Sequence, residues 1–243
     1  MQRTRVAKTK KRTLAITSCT SCGIIVNLSF IEPIYRKKMT LMQQEIDLYF
    51  SKITTVFLNT YEGIIPKAVL ERYPSKKRAS HHYTSRLALL EALQNCGLNQ
   101  FENYSDLGIV NHHHMEEAKN ALVSLSHTNE FAMAAATYCE EIKSIGVDLE
   151  NCSREIKPGI EKFFINEEDE IKSTLHLWCI KEAAFKAISP LYKDDKQLVL
   201  KDIAVKSNGD FKLLLEPAID GHWKLASKEQ MLFTHALILK NSQ

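Results

Sequence analysis

The chain has 243 residues, 44% of them hydrophobic and 25% charged, with a formal net charge of +3. That length buries a core as one large domain or two small ones, and the composition is that of a globular protein rather than a disordered or fibrous one. The charge is uneven: residues 1–38 carry nine Lys or Arg against Glu32 alone, which leaves 23 basic and 28 acidic residues, a net of −5, for residues 39–243. A mildly acidic body excludes a general nucleic-acid-binding role.

The basic start and the apolar run over residues 14–30 have the outline of a signal peptide. Thr17, Ser18, Thr20, Ser21 and Asn27 interrupt that run, which makes it too polar for a signal core or a bilayer span. Translation is expected to start at Met39 or Met42, and residues 1–38 are set apart as an N-terminal extension. Cys19-x-x-Cys22 is a lone pair without a partner in zinc spacing. Cys96, Cys139, Cys152 and Cys179 are expected as buried reduced thiols in a cytoplasmic setting.

Residues 46–57 alternate as a strand, and Pro66 opens a short helix to Arg72. Lys76, Lys77 and Arg78 form a basic run leading into a helix over 83–93 that Gly97 stops. Residues 103–120, with His112, His113 and His114, are expected as a loop. The apolar runs 121–125 and 131–138 flank a polar turn and predict a hairpin. After residues 146–150, helices are expected over 156–164 and 167–188, then strands over 198–205, 211–215, 223–226 and 235–239. Strands and helices mixed without βαβ alternation predict an α+β fold, divided near residue 141 into lobes 39–141 and 142–243.

Two acidic clusters carry the chemistry. Gly146-Val147-Asp148-Leu149-Glu150 follows an apolar stretch, and alternation along a strand puts Asp148 and Glu150 on one face. Trp178-Cys179-Ile180-Lys181-Glu182-Ala183-Ala184-Phe185-Lys186 reads as a helix whose core stripe is Leu177, Ile180, Ala184 and Ile188. Glu182 and Lys186 lie one turn apart on the other side. An isolated Asp-x-Glu is usually a solvated strand end, and an i,i+4 Glu–Lys pair is usually helix stabilisation. Brought together, three carboxylates and a lysine suit a hard cation holding a diphosphate. Ser126-His127-Thr128 in the hairpin offers anion binding. No Gly-x-Ser-x-Gly elbow exists to support a serine hydrolase.

Together with Leu125-Ser126-His127-Thr128, these motifs resemble the signature of the 4′-phosphopantetheinyl transferase superfamily, in its longer, two-lobed surfactin-synthetase-activating type. The resemblance is closest over residues 124–187. It implies two similar α+β lobes in a pseudo-twofold arrangement, working as a monomer with the active site between them. It implies transfer of the phosphopantetheine arm of coenzyme A to a serine of an apo acyl or peptidyl carrier protein, with release of 3′,5′-ADP. By the same resemblance Asp148, Glu150 and Glu182 hold Mg²⁺, and Glu182 takes the serine proton. Lys186 and Lys181 stabilise the phosphate being transferred. Ser126 and His127 contact the nucleotide phosphates, and Arg86 with Lys76, Lys77 and Arg78 binds the 3′-phosphate end. One departure is that no Gly-Lys-Pro segment precedes the Ser-His motif. The rival functions are another Mg²⁺-dependent diphosphate enzyme, or a non-catalytic protein that binds carrier proteins or coenzyme A.

Overall fold

The structure, a computed structural model, describes residues 43–104, 107, 109, 110, 114, 115 and 118–240. The expectations for residues 1–38, for the Cys19–Cys22 pair and for His112 and His113 lie outside these residues. Residues 44–243 form one compact unit.

A helix over residues 43–50 (α1) leads into β1 (Thr54–Asn59), followed by α2 (Lys67–Arg72) and α3 (Lys76–Asn95). Short strands β2 (Ile109–Val110) and β3 (His114–Met115) precede the hairpin β4 (Leu122–His127) and β5 (Phe131–Thr137). Then come the long strand β6 (Ile142–Asn151), the helix α4 (Thr174–Ile188), and β7 (Ile203–Val205), β8 (Asp210–Leu213), β9 (Asp220–Lys228) and β10 (Met231–Leu239). The strands form two five-stranded sheets, in the orders β1-β5-β4-β3-β2 and β6-β10-β9-β8-β7. Every pairing is antiparallel.

The apolar pattern places the layers. In β5, Phe-Ala-Met-Ala-Ala-Ala-Thr is apolar without alternation because both faces are covered. Ala134 and Ala136 meet α3 through Ala88, Leu89, Ala92 and Leu93. Met133 and Ala135 face the second sheet, joining Ile145, Val147 and Leu149 of β6 and Leu237 of β10. Phe57 and Phe233 meet edge-on across this junction, their centroids 4.9 Å apart. On the far side of the second sheet, α4 buries Leu177, Ile180, Ala184 and Ile188, as the helical wheel predicts.

The α+β class and the hairpin match the sequence reading, and several boundaries are corrected. Residues 46–57 are a helix and then a strand. The basic run is itself the first turn of α3, so that helix starts at Lys76 rather than at residue 83. The segment 103–120 holds β2 and β3. Residues 156–164 make only a 3₁₀ turn, Glu161–Phe163, because Pro158 and Gly159 (φ 88°) break the helix. The helix expected from 167 begins at Thr174, capped by Ser173, since residues 166–170 are bonded to the chain leading into and along β7. Residues 198–205 divide into a 3₁₀ turn, Leu200–Asp202, and β7. Of the four cysteines expected to be buried, Cys179 is, Cys96 and Cys139 are half-buried, and Cys152 is exposed. No helix among the described residues is long and apolar enough to cross a membrane.

Glycine decides how α4 meets β6. A Cβ at Gly146 would collide with the Ala183 carbonyl oxygen and the Ala187 amide nitrogen, both helix backbone. Next to it, Ser144 Oγ donates to the Ala187 carbonyl at 2.6 Å. Gly146→Ala is therefore expected to destabilise the protein by about 2–3 kcal/mol through overpacking, measured by urea denaturation. An unchanged midpoint would show that the helix can shift freely.

A second consequence concerns acid stability. His235 of β10 pairs its Nε2 with Thr55 Oγ1 at 2.7 Å. Burial, and then the neighbouring Lys224, lowers its pKa to about 4. The unfolded chain, with an ordinary imidazole, takes up a proton first as pH falls. Stability is thus full above about pH 6.5 and lost between there and about 4, by up to about 1.4 kcal/mol per pH unit. His235→Gln should flatten that stretch of the stability–pH curve in denaturation series, and an equally steep curve would assign the loss elsewhere.

Candidate functional site

Strand β6 is the edge of its sheet, so one row of its backbone groups has no strand partner. The hairpin strand β4 covers part of this row with serine side chains. Val147 N–H donates to Ser124 Oγ at 3.0 Å and Leu149 N–H to Ser126 Oγ at 3.2 Å. From the helix side, Lys186 Nζ donates to the Val147 carbonyl at 2.9 Å. Alternation then turns Asp148 and Glu150 to the α4 face, away from Val147 and Leu149.

Asp148 Oδ1 accepts from Ser126 Oγ at 2.8 Å and pairs with Lys186 Nζ at 2.9 Å. Its other oxygen, Oδ2, is buried with no hydrogen-bond partner. Glu150 Oε1 accepts from Trp178 Nε1 at 2.9 Å and also pairs with the Arg154 guanidinium. The Arg154 guanidinium lies 5.0 Å from the centroid of the Trp178 ring. Glu182 has no hydrogen bond from its side chain among the described residues. Burial raises its pKa, and the Asp148 charge adds to the rise. Burial likewise raises that of Glu150, against the pull of Arg154.

These carboxylates line one cleft of about 500 Å³, with His81, His127, Thr128, Asn129, Arg154 and Trp178 on its walls. The rings of His81 and His127 are 4.7 Å apart. Partial desolvation, with His81 and Lys186 nearby, pushes the pKa of His127 below its usual value. A second recess, of about 420 Å³, shares His81 and Asn129 with the first and is lined by Lys76, Lys77, Ser80 and Tyr61. It lies at the first turns of α3, where the helix dipole favours anions. A third, of about 250 Å³, is lined by Ser124, Leu125, Ile109, Phe185, Lys186 and Glu182. Glu182 borders both the acidic cleft and this more apolar hollow.

The expected residues therefore separate. Asp148, Glu150, Glu182, Lys186, Ser126 and His127 converge, and Lys76 and Lys77 stand in the adjoining recess. Arg78 is exposed and lines neither recess. Arg86 keeps company with Arg72, Tyr73 and His82 instead. Lys181 is the clearest departure, because it is fully buried and away from the cleft. Its Nζ donates to the Phe164 carbonyl and pairs with Asp169 at 2.7 Å. Burial lowers its pKa against the opposing pull of Asp169. Asp169 also accepts from the backbone N–H of Asn166 and Val205. This lysine of α4 fixes the 164–170 loop, which precedes that helix in the chain and is bonded to β7.

Sequence reasoning missed Ser124 and Arg154. Ser124 was legible as the second serine at alternate spacing on β4. Arg154, four residues after Glu150, follows a strand and not a helix, so spacing alone gave no signal.

Among the described residues, no three His, Cys, Asp or Glu side chains are already gathered as a metal cage. The donor set is nevertheless that of a hard cation: carboxylate oxygens only, with the buried Asp148 Oδ2 unpartnered. Residues 144–238 match the 4′-phosphopantetheinyl transferase superfamily. The matched segment takes in most of β6 and β10 and all of α4 and of β7 to β9. No curated protein matches the chain.

The buried ion pair gives a prediction within this matched segment. Lys181→Met leaves the Asp169 carboxylate buried without its counter-ion, at an expected cost of about 3–5 kcal/mol. Chemical denaturation measures it. A variant as stable as the wild type would make the pair dispensable.

Proposed function

We propose that the protein transfers the 4′-phosphopantetheine moiety of coenzyme A to a serine of an apo acyl or peptidyl carrier protein, releasing 3′,5′-ADP. The observation that carries this reading is the convergence of Asp148, Glu150 and Glu182 on one cleft with Lys186 beside them, inside the segment that matches the superfamily.

Asp148, Glu150 and Glu182 would hold Mg²⁺. Bound there, the metal supplies charge neutralisation on the diphosphate and polarises the phosphorus under attack. Glu182, at the border of the acidic cleft and the apolar hollow, accepts the proton of the attacking serine. A bond forms from the serine oxygen to the phosphorus attached to the pantetheine arm, and the bond from that phosphorus to the oxygen of the departing 3′,5′-ADP breaks. Lys186, anchored by the Val147 carbonyl and Asp148, faces the same hollow and stabilises charge on the phosphoryl group. His127 holds the nucleotide phosphates. Lys76 and Lys77, at the start of α3, take the 3′-phosphate end.

Each half of the chain is a five-stranded antiparallel sheet crossed by one long helix. That shared plan supports two lobes, 39–141 and 142–243, in a pseudo-twofold arrangement; a cytoplasmic monomer is part of the same proposal.

The full-length chain is tested with coenzyme A, Mg²⁺ and a panel of apo carrier proteins, read by intact-protein mass spectrometry. A carrier should gain one phosphopantetheine, and EDTA should abolish the gain. Glu182→Gln should slow transfer by about 10²-fold or more. Near-normal turnover in that variant would remove Glu182 as the base. No transfer to any carrier, from folded protein that binds coenzyme A, would replace the transferase with a non-catalytic binder.

A further inference from the structure

Asp148 and Glu150 each accept two donors on one oxygen, but the donors are held differently. Lys186 is tied at its tip: its Nζ also donates to the Val147 carbonyl, and its side chain is 28% exposed. The Arg154 side chain is 41% exposed. Its backbone, by contrast, is fixed, in the turn that closes β6. Arg154 N–H donates to the Asn151 carbonyl at 2.9 Å and Cys152 N–H to the Gln230 carbonyl at 2.8 Å. A rooted stem thus carries a partly exposed guanidinium at the wall of the cleft, held by Glu150 and lying over the Trp178 ring.

That guanidinium, paired with Glu150, competes with any other cation for the same carboxylate. A divalent ion and a guanidinium cannot share Glu150 Oε1 without close like-charge repulsion. The displaced fork matches a phosphate's two oxygens, and a diphosphate would arrive with the metal.

We propose that Arg154 is an exchange counter-ion. It neutralises Glu150 until a divalent cation binds there, and then pivots over Trp178 to pair with a phosphate oxygen of the diphosphate substrate. It is a positioning residue that couples metal binding to substrate binding. The inference rests on the metal-and-diphosphate reading of this cleft.

The test is isothermal titration of the full-length protein and of Arg154→Gln, first with Mn²⁺ alone and then with coenzyme A at saturating Mg²⁺. Loss of the competing cation should tighten Mn²⁺ binding about tenfold, and loss of the phosphate partner should weaken coenzyme A binding about tenfold. Opposite signs are the signature, since a residue that merely supported the fold would weaken both. Mn²⁺ affinity that is unchanged or weaker in Arg154→Gln overturns the exchange while leaving the transferase reading intact. If the wild-type protein binds neither Mn²⁺ nor coenzyme A, the reading of the cleft and the exchange fall together.

Discussion

The arrangement depends on a helix backbone lying directly on a strand. At Gly146 there is no side chain between β6 and α4, and the Ala183 and Ala187 backbone fills the space that a Cβ would take. Alanines at the contact keep the helix side equally thin. This closeness lets Ser144 reach the Ala187 carbonyl and Lys186 reach the Val147 carbonyl. It also fixes the lateral position of Glu182, one turn before Lys186, opposite Asp148 and Glu150. A separation larger by one methyl group would part the carboxylates of the strand from that of the helix.

The first sheet contributes through the edge of β6. Ser124 and Ser126 take up amide groups that no strand pairs with, and Ser126 also bonds Asp148. The serine of the Ser-His motif is thus as much a structural clamp on the acidic strand as a neighbour of the cleft. The superfamily match covers only the second half of the chain, yet one wall of the cleft, with His81, His127 and the clamp serines, belongs to the first. Burial of Met133 and Ala135 against Ile145, Val147 and Leu149 holds that wall in register with the acids.

What the sequence disclosed follows from periodicity. Alternation placed Asp148 and Glu150 together, and the helical wheel put Glu182 and Lys186 off the core stripe, because both are local geometric rules. Lys181 is assigned by resemblance to the family signature and not by periodicity. A lysine next to the glutamate of that signature looks like a phosphate ligand, and its partner Asp169 lies in a segment whose pattern promised helix. Only the tertiary fold shows that Asp169 is spent on Lys181 and on the Asn166 and Val205 amides. Arg78 and Arg86 are grouped with Lys76 and Lys77 by the same resemblance. The run is the first turn of α3, where its members point in different directions and only Lys76 and Lys77 meet the recess, while Arg86 sits beside Arg72, Tyr73 and His82.

The electrostatics of the cleft differ from those of an ordinary salt-bridge network. Burial and mutual repulsion make Glu150 and Glu182 more reluctant to ionise than free carboxylates. The cations beside them do not remove that cost: Asp148 Oδ2 keeps no partner, and Glu182 has none from its side chain among the described residues. A protein selected only for stability would replace such a cluster with apolar side chains. Its presence on a strand and a helix locked together by Gly146 is intelligible if the uncompensated charge is held for a ligand. The rigid backbone contact is what keeps the three acids from relaxing apart.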